Sequence, residues 1–272
     1  MPAEGAEMLV STKTSHAKGA TGGLAKQAGD LLARLRAARP RVHCITNTVA
    51  QAFTANVLLA AGALPSMTIS PEEVGDFVAH ADALLVNLGT FDEERRAAVD
   101  VALSVSAGMQ HPWVLDPVLI DRSDARARYA RSLLARRPAI VRLNGPEFSA
   151  LSSMEPIPSN LAAQAVEYGT VMALTGAADI VTNGTRIATI ANGHPFMAHV
   201  TAMGCAASAL TVACLAVDDD PFAAAVAALL VLNIAGEIAG KRSDGPGSFA
   251  ATILDALYHL DAETLAARAR IS

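Results

Sequence analysis

Residues 83–116 read ALLVNLGTFDEERRAAVDVALSVSAGMQHPWVLD. Ala83 to Asn87 is a short apolar run, Glu93 to Gly108 a longer amphipathic stretch, and Trp113 to Asp116 a second short run. Strand, helix and strand in that order make a βα unit whose two strands lie parallel in one sheet, joined by a right-handed crossover. Both runs are apolar throughout rather than alternating, the pattern of strands buried on both faces. Each ends on a polar residue, Asn87 and Asp116.

The same grammar extends outward. Upstream, residues 25–38 predict a helix with Leu24, Leu31, Leu32 and Leu35 on one face, closed by Pro40. Val42 to Ile45 follows as a strand, Thr48 to Ala61 as a helix ended by Gly62, and Met67 to Ile69 as a short extended piece. Ser70 before Pro71-Glu72-Glu73 combines an N-cap, a first-turn proline and acids that suit the helix dipole, which predicts a helix start. Downstream, residues 124–135 read as helix and 139–142 as strand. Polar residues recur at or near the strand ends: Asn47, Asn87, Asp116 and Arg142. Ligands of open α/β sheets bind outside the carboxyl ends of the strands, so these residues fall where chemistry would be placed.

After Pro158 the pattern changes. Residues 171–174, 179–182, 186–191 and 196–199 read as short strands separated by Gly176, Asn183-Gly184 and Asn192-Gly193, and Asn-Gly between apolar runs is a strong hairpin signal. From Met203 onward the chain reads as helix punctuated by Gly236, Gly240 and Gly245-Pro246-Gly247. The expected fold is α/β, a central mostly parallel sheet with helices on both faces in three αβα layers. It forms one domain over residues 24–272 behind a flexible tail over residues 1–23.

Composition narrows the classes. The 272 residues are 52% hydrophobic, 4% aromatic and 17% charged, which excludes a disordered or fibrous chain. With 21 basic against 26 acidic residues the net charge is −5, which argues against a nucleic-acid partner. Cys44, Cys205 and Cys214 are odd in number and lack C-x-x-C spacing, which argues against a disulfide framework or zinc site and fits a reducing cytoplasm. Mean hydropathy is positive, +0.34. The apolar stretches Met203–Val217 and Phe222–Ala235 fall short of the ~20 residues that span a bilayer, so both are expected as buried helices with no membrane partner.

Two segments carry candidate chemistry. Val200 to Ala207 (VTAMGCAA) opens a long apolar helix with glycine and small residues, and the unpaired amides and positive dipole end there suit a phosphate. Cys205 falls in the first turn, where a helix dipole lowers a thiol pKa. Small-residue packing is the competing reading, and neither a G-x-x-x-x-G-K-[ST] nor a G-x-G-x-x-G loop is present. In Arg142 to Glu147 (RLNGPE), Asn144 is placed to cap a helix that has Glu147 in its first turn. Alternatively Glu147 holds a magnesium hydration shell, with Arg142 and Asn144 near phosphate oxygens and Asp116 a second carboxylate at the same edge. His43, His194 and His199 fit core or surface roles. A cysteine hydrolase pairing Cys205 with His199 is a minor alternative.

In order along the chain, His43 to Thr48 (HCITNT), Phe53 to Asn56 (FTAN), Gly62 to Met67 (GALPSM), Leu85 to Thr90 (LVNLGT), Leu115 to Val118 (LDPV), Leu174 to Gly176 (LTG) and Val200 to Cys205 (VTAMGC) resemble hydroxyethylthiazole kinases. The likeness runs from about residue 25 to the C-terminus. It implies a ribokinase-like fold and transfer of phosphate from ATP, with magnesium, to the hydroxyl of 4-methyl-5-(2-hydroxyethyl)thiazole in thiamine salvage. It further implies a cytoplasmic homotrimer with active sites between subunits. By resemblance Cys205 and Gly204 are catalytic, and Met67, Ala202 and Asn47 contact substrate. Arg142, Thr175 and Asn144 contact ATP, and Asp116 and Glu147 serve the metal, directly or through water.

Three departures bear on this. Ala202 stands where the family often has a glycine, the loop Leu119–Asp124 where it often has a Gly/Ala-rich segment, and Leu143 where it often has glycine between Arg and Asn. The alternatives are a kinase of the same fold for hydroxymethylpyrimidine or pyridoxal, or a catalytically silent binding subunit.

Overall fold

The short apolar runs become β1 (Arg41–Ile45), β3 (Ala83–Asn87), β4 (Trp113–Asp116) and β5 (Ile140–Asn144) in a computed structural model that describes residues 23–272. The tail expected over residues 1–23 lies, apart from Gly23, outside the described residues. β2 (Leu64–Ser66), β6 (Val171–Thr175), β7 (Asp179–Thr182) and β8 (Ile187–Ile190) complete one sheet of order β2-β1-β3-β4-β5-β6-β7-β8. All neighbours are parallel except β7, which runs antiparallel to both β6 and β8.

Successive side chains of a strand point to opposite faces, and both faces are covered. Val42, Cys44, Ala83 and Leu85 face one core, shared with α1 (residues 23–38), α2 (Gln51–Ala61), α8 (Met203–Leu215), α9 (Pro221–Gly240) and α10 (Pro246–His259). Ile45, Leu84 and Val86 face the other, built with α3 (Val74–Ala79), α4 (Glu93–Met109), α5 (Asp124–Leu134), α6 (Gly145–Ser152) and α7 (Pro158–Tyr168). A short α11 (Ala262–Arg268) adds Leu265 to the first core. The three-layer αβα arrangement is as expected. Gly62 ends α2 with φ +105°, and Asn183-Gly184 closes the β7–β8 hairpin with Gly184 at φ +92°.

Several elements differ from the sequence reading. The extended piece is Leu64–Ser66, paired to β1, rather than Met67–Ile69. The helix expected at Ser70 starts at Val74, because Ser70 O accepts from both Glu73 N and Val74 N and residues 71–73 form a turn. α7 went unread although Pro158 opens it and Gly169 closes it. Residues 196–199 belong to a single 3-10 turn, Pro195–His199, not a strand. The partner edge they would need is taken: Thr189 N donates to Ser272 O, Ser272 N to Thr189 O, and Ala191 N to Arg270 O.

Gly240 ends α9, but Gly236 does not punctuate. α9 runs through Gly236, and a Cβ there would stand 2.7 Å from Met197 Sδ, while one on Gly240 would stand 2.3 Å from His194 Cδ2. Both glycines let the 194–197 turn lie on the helix. α9 has 20 residues, longer than read and apolar enough to cross a membrane by length and composition. Its core position, packed against α8 and α10 with nearly all its length buried, accounts for that apolarity.

Candidate active site

Parallel register brings the strand ends to one edge: Asn87 pairs with Asp116 across β3–β4, and Asn144 with Thr175 across β5–β6. The first turn of α8 meets this edge, and a cavity of about 390 Å³ opens between them. Asp116, Arg142, Asn144, Glu147 and Thr175 line it from the sheet side. Asn47, just past β1, and Ala202, Gly204 and Cys205, at the start of α8, line it too, so nine of the ten residues given a role from sequence share one cavity. Met67 does not line it; it is half-buried against the core on the α2 and α8 face. Its neighbours are held by buried His43, whose Nδ1 pairs with Ser66 Oγ at 2.8 Å and Nε2 with Thr68 O at 3.1 Å.

Asp116 is the buried charge at the centre. Its Oδ2 accepts from Asn87 Nδ2 at 2.6 Å and from Ser208 Oγ at 2.7 Å. Burial pushes its pKa up to about 6, the nearby Glu147 carboxylate adds to the shift, and the Arg142 guanidinium opposes it. Arg142 Nη1 reaches Ser208 Oγ at 3.4 Å, and its Nε is buried with no partner among the described residues.

The thiol of Cys205 contradicts the expectation drawn from the helix dipole. Burial pushes its pKa up to about 12, and the Asp116 charge acts in the same direction. Loss of hydration outweighs the half charge of a helix terminus, so the group is a protonated thiol at neutral pH. His199 is exposed and makes no hydrogen bond to it, which removes the cysteine–histidine pairing.

Two helix starts flank the cavity. α6 carries a full capping box: Glu147 N donates to Asn144 Oδ1 and Asn144 N to Glu147 Oε2, each at 2.9 Å. Glu147 Oε1 accepts from Leu119 N at 2.9 Å. α8 has no side-chain cap, and its N-cap residue Ala202 sits at φ +74°. The Gly204 and Cys205 amides have no acceptor among the described residues. A Cβ built on Gly204 would stand 3.7 Å from Arg142 Nη1, so the guanidinium faces the uncapped amides across a gap.

No cluster of three or more His, Cys, Asp or Glu suited to a metal occurs among the described residues. The pair Asp116 and Glu147 nonetheless fits magnesium, which keeps several waters and takes one or two carboxylates beside substrate phosphates. Each Glu147 oxygen accepts one amide and retains a second lone pair for such a water. A second cavity of about 570 Å³ shares Arg142, Thr175 and Gly204, and runs between the Gly176 turn and Leu229 and Leu232 of α9.

The profile of the hydroxyethylthiazole kinase family matches residues 32–263. This chain belongs to the hydroxyethylthiazole kinase family. It is 45% identical over 253 residues to hydroxyethylthiazole kinase of Granulibacter bethesdensis, covering 88% of this chain and 92% of the relative. It is 41% identical over 255 residues to that of Pectobacterium carotovorum subsp. carotovorum, covering 89% and 97%. The structure of the hydroxyethylthiazole kinase protein from Pyrococcus horikoshii OT3 superposes with a TM-score of 0.85 at 34% identity, covering 90% of this chain and 98% of that one. Pyridoxal kinase from Staphylococcus aureus in complex with pyridoxal, at TM-score 0.59 and 16% identity over 73% of this chain and 88% of that one, shares the fold alone.

Within this family member the three departures acquire geometry. Ala202 adopts a left-handed backbone that favours glycine. Leu119 ties its loop to Glu147 through its amide. Leu143 is buried in the core of the α6 face and leaves the alternate position, Arg142, on the cavity side of β5. Sequence reading placed Asn87 at the functional edge without giving it a role, and missed Ser208. Asn87 stands at a strand end inside a family-like motif; Ser208 is one helical turn from Gly204 in an apolar run, and only that i, i+4 spacing marks it.

Proposed function

We propose that the chain performs the reaction its family is named for, transfer of the γ-phosphoryl of ATP to the hydroxyl of 4-methyl-5-(2-hydroxyethyl)thiazole in thiamine salvage. The observation that carries this reading is the convergence of nine sequence-selected residues on one cavity. Phosphoryl transfer relies on positioning and charge stabilisation more than on covalent chemistry. The uncapped amides of Gly204 and Cys205 and the Arg142 guanidinium face one another across the space where the transferring group would sit. They supply fixed donors at the point of developing charge.

Arg142, Thr175 and Asn144 hold ATP, with the larger cavity toward α9 taking its nucleoside. Asp116 and Glu147 hold magnesium with its waters, and the ion neutralises phosphate oxygens when bound. Cys205, as a thiol raised to about 12, positions the alcohol rather than deprotonating it. A loose transition state does not require prior deprotonation. Ala202 and Asn47 line the substrate end. Met67 lies outside the cavity of its own chain, which supports a homotrimer in which Met67 completes the pocket of a neighbouring subunit. The cysteines are free and buried, in keeping with a cytoplasmic protein.

ADP release measured against a panel of thiazole, pyrimidine and pyridine alcohols, with and without magnesium, tests the reading. Turnover of the hydroxyethylthiazole alone, dependent on magnesium, is the expected result. Turnover of a pyrimidine or pyridine alcohol instead, or of none, would sink it.

A further inference from the structure

Over residues 222–235 of α9 the only polar side chain is Asn233. It is 7% exposed, in a stretch otherwise built of Ala, Val, Leu, Ile and Phe. A buried amide is costly unless hydrogen-bonded, so its presence calls for a partner. That partner is Asp179, the first residue of β7 and itself 6% exposed, whose Oδ2 accepts from Asn233 Nδ2 at 2.7 Å. The other oxygen, Oδ1, accepts from Gly176 N at 3.0 Å. Gly176 follows Thr175, whose Oγ1 donates to Leu143 O at 3.3 Å. One buried carboxylate therefore joins the middle of α9 to the amide beside Thr175. Asp179, Asn233, Gly176 and Thr175 all line the 570 Å³ cavity that also receives Arg142.

Core glue alone would not need this arrangement. An apolar pair at positions 179 and 233 would pack β7 on α9 without desolvating a carboxylate. Burial raises the Asp179 carboxyl above its ordinary range, opposed by the bonds from Asn233 and Gly176 and by the Arg142 charge. What the pair adds over an apolar contact is a fixed direction for the Gly176 amide, and through it a fixed position for Thr175.

We propose that Asp179 and Asn233 are positioning residues for the nucleotide, a relay that sets the Thr175–Gly176 turn against the ATP site. The proposal rests on the reading that ATP occupies the cavity at Thr175. In the full-length protein, Asn233→Leu and Asp179→Leu should each raise the KM for ATP about tenfold and leave the KM for the thiazole alcohol within about twofold. Asp179→Asn should recover most of that loss. The amide oxygen still accepts from Gly176 N, and a rotated Asn233 accepts from the new NH₂.

Asn233→Asp adds a readout that packing does not move. Two facing carboxylates repel when both are ionised and share a proton when one is not, so its KM for ATP should fall toward wild type between pH 8.5 and pH 6. Calorimetric binding of a non-hydrolysable ATP analogue separates the outcomes. Wild type that binds the analogue while folded Asn233→Leu or Asn233→Asp binds it equally well at every pH would overturn the relay and leave the kinase reading standing. Wild type that fails to bind the analogue would overturn both.

Discussion

The first turns of α6 and α8 face the same cavity and are finished in opposite ways. α6 closes on itself, with Asn144 and Glu147 accepting each other's amides and Glu147 taking Leu119 N as well. α8 begins on an alanine in the left-handed region, with no capping side chain and free amides at Gly204 and Cys205. The four leading amides of a helix need acceptors. Where the chain supplies them, the terminus is closed. Where it withholds them beside a guanidinium, the terminus is left to an anion. The closed start thus fixes its own two site residues, Asn144 and Glu147, while the open start keeps its donors for the transferring group.

The largest expected effect breaks the open start. Gly204→Ala meets Arg142 Nη1 at 3.7 Å and Nη2 at 4.0 Å, ordinary contact distances, so the melting temperature should hold. Its methyl group fills the gap between amides and guanidinium, and kcat/KM should fall at least ~100-fold, the scale of losing one oxyanion donor. A melting temperature that drops with activity would mean the gap is a packing feature.

Asp116 sharpens the comparison from beneath α8, where Ser208 donates to it. A carboxyl whose folded pKa is raised from 3.8 to about 6 binds its proton more tightly in the folded chain. It therefore destabilises the fold fully above pH 6, and the penalty fades as pH falls toward 3.8. The shift corresponds to about 2–3 kcal/mol. Asp116→Asn keeps an oxygen for Asn87 and Ser208, so it should melt roughly 4–8 °C above wild type at pH 8 and gain about a third of that at pH 4.5. Turnover should nearly vanish. Equal melting temperatures at pH 8 would show that the carboxylate carries no burial cost.

At the closed start the effects are smaller and fall on stability as well as on the KM for ATP. Asn144→Ala removes one arm of the capping box and should cost about 1 kcal/mol, read in urea melts, with a far smaller loss of kcat/KM than Gly204→Ala. A loss of turnover matching that of Gly204→Ala would make the two termini functionally alike. The smallest effect returns to α8: Ala202→Gly relieves a left-handed alanine and should stabilise by roughly 0.5–1 kcal/mol. Destabilisation would show that the Ala202 methyl is held by contacts worth more than the backbone strain.

Local patterns made much of this legible. Strands β3 and β4 follow from apolar run length, the β7–β8 hairpin from Asn183-Gly184, and the α6 box from the spacing of Asn144 and Glu147, because each depends on residues within a few positions of one another. The family-like motifs picked out the cavity residues. Elements that depend on a distant neighbour were misread. Residues 196–199 are a short apolar run of the kind read as a strand, yet the C-terminal residues occupy the edge they would have joined. Gly236 looks like a helix breaker until Met197 is seen lying on it.

By itself the sequence determined the parallel sheet, its polar strand ends and the uncapped start of α8, since periodicity, turn chemistry and capping are properties of short segments. Tertiary structure alone decided the sign of the Cys205 thiol shift, which burial and Asp116 drive upward against the dipole. It also placed Asn233 on Asp179 across 54 positions of chain. Desolvation and pairing are set by whatever packs around a group, and in this fold that comes from elements far away in sequence.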